Sequence, residues 1–439
     1  MSEPRATTAR EVALQVCRDV FGQTPRRARE ALDYRLRHSE LTPRDRAFAT
    51  ELAYGAIKMR RSLDYELQPY LGERAKALPQ PIAEILRLGT YQLRHMDGVE
   101  AYAAVSESVG LARKYGHKGT AGLVNAVLRR VASDPPRPGA DEATRASLPT
   151  WIVSHWRERF GANLIDAILA GVNEPAAGGL SVDLRKTTRD DALAALAEAK
   201  IAARPSAFAA DAIVLEGTAP TAQIEALARL RWHRHAEAAS FPVDLLDPQP
   251  GRRVVELCSG RGNKTLQIAS RMGDRGTILS VDDDAKKIAL NAARLAEAGI
   301  GSVALVTADA TAMPATGDAD AVLLDAPCSA LGILGRQPEA RWRKSPDDPA
   351  RMQAVQRAMI ASAARCVKPG GVLVYSVCST DRREAEDVVE PFLAAHAEFA
   401  RVAPPQRYAP FATAAGDLLV PPGIDRRDGF YIARMRRSA

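Results

Sequence analysis

Apolar residues recur at helical spacing through roughly the first 132 positions. Val12, Val16 and Val20 fall on one face. Phe48, Leu52, Ala56 and Met59 form a second stripe. Ile82, Ile85, Leu86, Gly89 and Leu93 form a third, and Leu123, Val124, Val127, Leu128 and Val131 a fourth. Such stripes are the core faces of a helix bundle. The pattern then changes. Ser133, Asp134, Pro135, Pro136, Arg137, Pro138 and Gly139 read as a linker. Leu180, Val182 and Leu184 alternate with Ser181, Asp183 and Arg185, which predicts a half-buried strand. A helix is expected over 188–200, opened by Thr188 or Asp190, and a second strand at Ile213, Val214 and Leu215. From Asp247-Pro248-Gln249-Pro250-Gly251 onward, apolar runs alternate with helical stretches. The runs lie at 254–257, 278–281, 303–306, 321–324 and 372–377. This rhythm means a mostly parallel sheet. Residues 429–435 read as a last strand at its edge. The expected organisation is a helical domain (1–135), a small α/β domain (141–235) and a larger α/β domain (236–439).

Composition adds little to the fold and more to the partner. The chain has 439 residues and is 46% hydrophobic, enough for several real cores. Its net charge of +7 mildly favours an anionic partner such as nucleic acid. Arg26, Arg27, Arg29, Arg35, Arg37, Arg44, Arg46, Lys58, Arg60 and Arg61 lie between the helical stripes. Singly they are solvated surface; together they read as a phosphate-contacting face. The cysteines are five, an odd number, with no Cys-x-x-Cys pair. Neither a disulfide framework nor a structural zinc site is expected, and no metal. The polar N-terminus and the lack of a long apolar run argue for a reduced, cytoplasmic protein off the membrane.

Candidate chemistry gathers where strands end, since open α/β sheets bind ligands beyond their carboxyl edges. The run Ala321-Val322-Leu323-Leu324 ends in Asp325, and Cys328 follows past a proline. After the first strand of the large domain comes Cys258-Ser259-Gly260-Arg261-Gly262-Asn263-Lys264-Thr265, then a helix. Glycines at such a turn expose backbone N–H groups to a ligand. Asp282 ends the next strand, where a carboxylate holds ribose hydroxyls, and Asp309 follows the third. A phosphate-binding loop needs glycine directly before Lys-Thr, but Asn263 stands there. A dinucleotide fingerprint, and with it a nicotinamide dehydrogenase, needs a third glycine. An adenosyl ligand without a pyrophosphate, S-adenosylmethionine, remains.

A second strand, Val372-Leu373-Val374-Tyr375-Ser376-Val377, also ends in a cysteine, Cys378. A zinc deaminase is a poor fit. His235-Ala236-Glu237 satisfies half of its signature, but Leu331 stands where its second Pro-Cys-x-x-Cys cysteine belongs. A covalent methyltransferase accounts for more. Carbon 5 of a pyrimidine becomes nucleophilic once a thiolate adds to carbon 6. An acid supports the charge that develops on the ring, and a base later removes the proton from carbon 5.

Leu324-Asp325-Ala326-Pro327-Cys328-Ser329 and Tyr375-Ser376-Val377-Cys378-Ser379 resemble the fourth and sixth motifs of RNA (cytosine-5)-methyltransferases. The stretch from Asp45 to Gly55 (DRAFATELAYG) and that from Val124 to Arg130 (VNAVLRR) resemble a NusB-like RNA-binding domain. With the closing Asp428-Gly429-Phe430-Tyr431, the layout is similar to the RsmB (Sun/Fmu) branch. The resemblance implies a NusB-like helical domain, a small α/β domain and a Rossmann-like methyltransferase domain. It implies S-adenosylmethionine as cofactor and RNA, specifically 16S ribosomal RNA, as partner. Cys378 would be the nucleophile, Cys328 would assist release, and Asp325 would contact the cytosine close to the methyl donor. Residues Cys258, Ser259, Gly260, Arg261, Gly262, Asn263 and Lys264, with Asp282, Asp309 and Asp325, would hold the cofactor. Lys264 would also orient the catalytic groups. One complete site per chain suits a monomer.

The cofactor loop departs from the family's usual Cys-Ala-Ala-Pro-Gly-Gly-Lys-Thr. Arg261 replaces a proline and brings a charge towards a sulfonium ligand; Asn263 replaces a glycine, and asparagine tolerates left-handed backbone. The segment around His235, Ala236, Glu237 and Ala238 is altered too. These departures motivate an alternative: a non-catalytic RNA-binding or ribosome-assembly factor.

Overall fold

The computed structural model describes residues 8–217, 221–228 and 231–439. The chain divides into two compact units. One is Met1–Ser154 with Arg336–Lys344; the other is His155–Gly335 with Ser345–Ala439.

The first unit is helical. Its long helices are Ala9–Phe21, Ala28–Arg37, Pro43–Lys58, Arg60–Leu71, Gln80–His95, Ala101–Tyr115 and Lys118–Ser133. Their starts are written locally: Thr8 accepts from the Glu11 N–H, and Thr42, ahead of Pro43, accepts from the Asp45 N–H. The four predicted stripes supply its core, with Val12, Val16, Leu52, Ile82, Leu86, Val124 and Leu128 all buried. The basic residues divide. Arg35 is clamped on Asp19 by two 2.7 Å bonds, and Arg60 pairs with Glu84 at 2.8 Å. Arg46 donates to the Leu36 carbonyl and Arg61 to that of Leu148, each at 2.8 Å, while Lys58 is buried. These are internal ties. Arg26, Arg27, Arg29, Arg37 and Arg44 stay exposed, so the expected basic face is narrower than its sequence count.

Residues 336–344 leave the second unit's sequence and belong to the helical one. They finish the helix Pro43–Lys58, whose last carbonyls lack intrahelical partners. The Trp342 indole N–H donates to the Ile57 carbonyl at 2.7 Å. The fully buried Arg341 reaches the carbonyls of Lys58 and Ser147 at 3.5 and 3.3 Å. Burial pushes the Arg341 guanidinium down to about 9.

The second unit holds two sheets. Strands β1 (Gly178–Val182), β2 (Ala203–Pro205), β3 (Ala212–Leu215) and β4 (Trp232–Arg234) form an antiparallel sheet in the order β2-β3-β1-β4. The expected in–out alternation of 180–185 does not hold. The strand stops at Val182, Ser181 is buried and Leu184 is 45% exposed. An interior strand covered on both faces has no solvent side to alternate with. The helix Arg189–Glu198 is capped by Thr188, as its sequence predicts.

The large sheet is built from β5 (Arg253–Leu257), β6 (Thr277–Asp282), β7 (Val303–Thr307), β8 (Ala319–Asp325), β9 (Val367–Val377), β10 (Phe399–Arg401), β11 (Leu418–Val420) and β12 (Phe430–Arg437). The order is β10-β12-β9-β8-β5-β6-β7, with β11 also on β12. Strands β9, β8, β5, β6 and β7 are parallel. Successive residues feed opposite layers. Val255, Val322, Leu324, Leu373 and Tyr375 pack in one, and Val254, Ala321, Leu323, Val372 and Val374 in the other. Two-sided burial is why β5, β8 and β9 read as unbroken apolar runs. The last strand is not an edge: β12 lies between β9 and the short β10, antiparallel to both. The edge strands β10 and β11 have three residues each, too few to carry a pattern.

Arg341→Ala should strip the end of the helix Pro43–Lys58 of its buried donor, at a cost of about 2 kcal/mol. Amide hydrogen exchange in that helix's last turns is then expected to quicken roughly 30-fold. An unchanged exchange rate would show that Arg341 does not hold this helix.

Candidate active site

The parallel strands present their carboxyl ends along one edge, and register decides which residues meet there. Leu257 lies opposite Leu324, and Asp325 opposite Ser376. The residues leaving β5, β8 and β9 are therefore neighbours. Asp325 is held from two sides. Lys264, in the first turn of the helix Asn263–Arg271, places Nζ 2.6 Å from Oδ2. The Ser376 hydroxyl donates to Oδ1 at 2.7 Å. Lys264 also lies over the Phe430 ring, at 5.9 Å from its centroid. The carboxylate keeps 28% exposure, enough to meet a ligand, while the lysine keeps 11%.

Past these strand ends, Cys328 and Cys378 converge to a sulfur–sulfur distance of 3.3 Å, both as free thiols and both partly buried. The hydrogen bond with Cys378, then burial, push the Cys328 thiol well above the usual range. Cys328 thus keeps its proton and can share it with the neighbouring sulfur. The loops are fixed by backbone as well: the Ala326 N–H donates to the Ser376 carbonyl at 2.9 Å and the Gly332 N–H to that of Cys378 at 3.0 Å.

The turn after β5 takes its left-handed backbone at Cys258 (φ 61°), Gly260 (φ 59°) and Gly262 (φ 82°). Gly262 is also sterically required, because a Cβ there would lie 2.0 Å from Asn291 Oδ1. Asn263 has no such duty. It opens the helix, and its Oδ1 accepts from Arg294 at 2.7 Å while Arg294 also grips the Arg261 carbonyl at 2.6 Å. The Asn263 carbonyl takes a further contact from His233 Nε2 at 3.0 Å. Below the turn, Glu256 accepts from Thr265 and Ser280 at 2.6 and 2.7 Å, tying β5, β6 and the helix together.

Asp282 caps this turn by accepting from the Gly260 N–H at 2.8 Å and the Asp284 N–H at 3.0 Å, with Lys287 at 3.1 Å. Against the cost of burial, these partners hold its carboxyl below the usual range. A Cβ on Gly260 would enter open space, so the backbone there is reachable. Asp309 is exposed and caps its own turn through the Thr311 N–H at 2.8 Å. A reachable glycine backbone, a charged acid at the ribose position and a second acid one strand over fit an adenosyl ligand. The stretch His235–Glu237 is structural instead: Glu237 is taken by Arg427 at 2.8 Å and Ser206 at 2.6 Å.

Three family models match stretches of this chain. Residues 243–436 match the 16S rRNA methyltransferase RsmB/F model, 7–133 the NusB family, and 148–222 the ferredoxin-like domain of RsmF/B-like methyltransferases. The ribosomal RNA small subunit methyltransferase B of Thermus thermophilus is 38% identical over 436 residues, covering 99% of this chain and 98% of that one. The chain belongs to the RsmB/F methyltransferase family. The Pseudomonas putida ribosomal RNA small subunit methyltransferase B is 30% identical over 90% of this chain and 91% of its own. Among solved structures, PH0851 has the same fold over both whole chains, with a TM-score of 0.83 at 22% identity. NSun6 from Pyrococcus horikoshii with SFG superposes at a TM-score of 0.58 and 18% identity, over 66% of this chain and 98% of its own. The cofactor of this RsmB/F member is S-adenosylmethionine. Among the described residues no helix is long and apolar enough to cross a membrane.

Of the sequence-predicted residues, Lys264 meets Asp325, Cys328 meets Cys378, and Asp282 stands beside Gly260. Ser376, Arg294 and Glu256 escaped sequence reasoning. Ser376 had one available sign, its position two residues before Cys378 on a strand already suspected. The other two depend on pairings no local pattern announces. Burial pushes the Glu256 carboxyl from 4.5 up to about 7, against two hydroxyl donors. A raised acid stabilises the fold fully below its unfolded value and loses that contribution as pH rises through the folded one. Glu256→Gln, neutral throughout, should therefore out-stabilise the parent near neutral and alkaline pH by on the order of 3 kcal/mol. The advantage should shrink towards about pH 5 in urea unfolding. An equal gap at both pH values would contradict this titration.

Proposed function

We propose that the protein methylates carbon 5 of a cytosine in 16S ribosomal RNA, as a monomer, through a covalent bond between Cys378 and carbon 6. The observation that carries this reading is the pair of thiols 3.3 Å apart beside the Asp325–Lys264 ion pair. Cys378 Sγ, as thiolate, adds to carbon 6, and the displaced electron pair makes carbon 5 nucleophilic. Asp325, fixed by Lys264 and Ser376, contacts the base, and the Lys264 ammonium beside it offsets the negative charge that develops on the ring. S-adenosylmethionine, when bound, supplies an electrophilic methyl group. The residues that would hold it are Cys258, Ser259, Gly260, Arg261, Gly262, Asn263 and Lys264, with Asp282, Asp309 and Asp325. Cys328 then assists release: water takes the proton from carbon 5, that electron pair restores the ring double bond, the carbon 6–sulfur bond breaks, and Cys378 leaves as thiolate.

The substrate class rests on the RsmB/F relatives and on the exposed arginines of the helical unit, which suit backbone contacts to structured RNA. The altered cofactor loop, which motivated a non-catalytic reading, keeps two left-handed glycines and gains a clamp from Arg294.

Methyl transfer from labelled S-adenosylmethionine to unmodified 16S RNA is the test. Cys378→Ala is expected to lose at least about 1000-fold in rate. Cys328→Ala should accumulate a protein–RNA adduct that migrates slowly on denaturing gels. Full activity in the first variant sinks the covalent mechanism, and absence of the adduct in the second removes the release role of Cys328.

A further inference from the structure

Each of the two thiols is followed in sequence by a serine, and both serines run to one buried carboxylate that the reaction above does not use. Glu384 is wholly buried. Its Oε1 accepts from the Ser329 N–H at 2.7 Å and from Gln356 at 3.1 Å. Its Oε2 accepts from the Ser379 hydroxyl at 2.5 Å and from the Ser329 hydroxyl. The two hydroxyl oxygens are 3.1 Å apart. Gln356 also donates to the Pro327 carbonyl at 2.8 Å, and the Tyr375 hydroxyl donates to the Glu384 carbonyl at 2.7 Å. Burial pushes the Glu384 carboxyl up, against its hydrogen bonds.

A buried acid is expensive unless its lone pairs are filled, and this one has four donors on two oxygens. Those donors come from the Cys328 loop, the Cys378 loop and the helix Asp348–Ala364. The cysteines are 50 residues apart in sequence, so covalent geometry does not set the distance between their sulfurs. Nucleophilic attack by one and release by the other require that distance to be held. We propose that Glu384 is a positioning residue that locks the two cysteine loops to each other and thereby sets the Cys328–Cys378 sulfur separation. The role in turnover rests on the two-cysteine mechanism proposed above; the geometric role does not.

Two readouts on the full-length protein test this. The first is a ruler: diamide takes two hydrogens from the thiols of Cys328 and Cys378, is itself reduced to the hydrazine, and leaves a disulfide. The rate, followed by peptide mapping, reports how often the sulfurs meet. Glu384→Gln should slow it roughly tenfold or more. The second is turnover, where Glu384→Gln should lower kcat about 100-fold while KM for RNA and affinity for S-adenosylmethionine stay within about twofold. A Ser329→Ala/Ser379→Ala variant, which keeps the carboxylate, should reproduce both effects. Adding Glu384→Gln to it should cost little more. If Glu384→Gln does not fold, the serine variant carries the test alone. A native disulfide rate in a folded variant overturns the proposal, as does a loss of cofactor binding equal to the loss of kcat. If Cys378→Ala stays active, the covalent mechanism fails, and the ruler still decides the role of Glu384.

Discussion

The site depends on three central strands that are dry on both faces. Strands β5, β8 and β9 send alternate residues into two apolar layers, which leaves no room for charge along their length. Polar chemistry is forced to the carboxyl edge, where Asp325 and Cys378 emerge beside each other by register. Glu256 is the exception that supports the rule. Its carboxyl lies inside the sheet, is tied by Thr265 and Ser280, and is pushed towards neutrality by burial. The edge works because its charges are paired as they leave the interior: Asp325 with Lys264, and Asp282 with Lys287 and two backbone N–H groups.

How much of this could be read from sequence follows from how local each cause is. The helical stripes were legible from their period, and β5, β8 and β9 because two-sided burial writes continuous apolar runs, with the acids and cysteines following at the strand ends; β7 was legible as an apolar run although it is a half-exposed edge strand. The in–out reading of 180–185 failed because β1 is interior, and Ser181 is buried without an apolar side chain to announce it. Strand β12 was read as an edge because its outer neighbours β10 and β11 have three residues each. The 336–344 segment gives no sign of its destination. Its contacts with Ile57, Lys58 and Ser147 span 194 or more positions.

The same logic separates the proposed catalytic groups from those that hold them. Cys328, Cys378, Asp325 and Lys264 stand in recognisable strand-end motifs. Arg294, Ser376 and Glu384 act by reaching across loops, so their roles appear only once the chain has folded. The cofactor loop makes the point in reverse. Its substituted residue Asn263 suggested a left-handed turn residue, yet the left-handed backbone falls on Cys258 and the two glycines, and Asn263 instead offers a side-chain acceptor to Arg294. A loop that looked weakened in sequence is braced by Arg294 from a later helix, Ala285–Ala298.

The central claim is that the attacking thiol is Cys378, although Cys328 lies nearer to Asp325 in sequence. The most direct measurement is to react the unmutated protein and S-adenosylmethionine with 16S RNA carrying 5-fluorocytidine, whose carbon 5 has no proton to lose. The arrested adduct is then digested with protease and nuclease, and the modified peptide is identified by mass spectrometry. The nucleotide should be found on the peptide containing Cys378. Its appearance on the peptide containing Cys328 would contradict the assignment of roles to the two thiols.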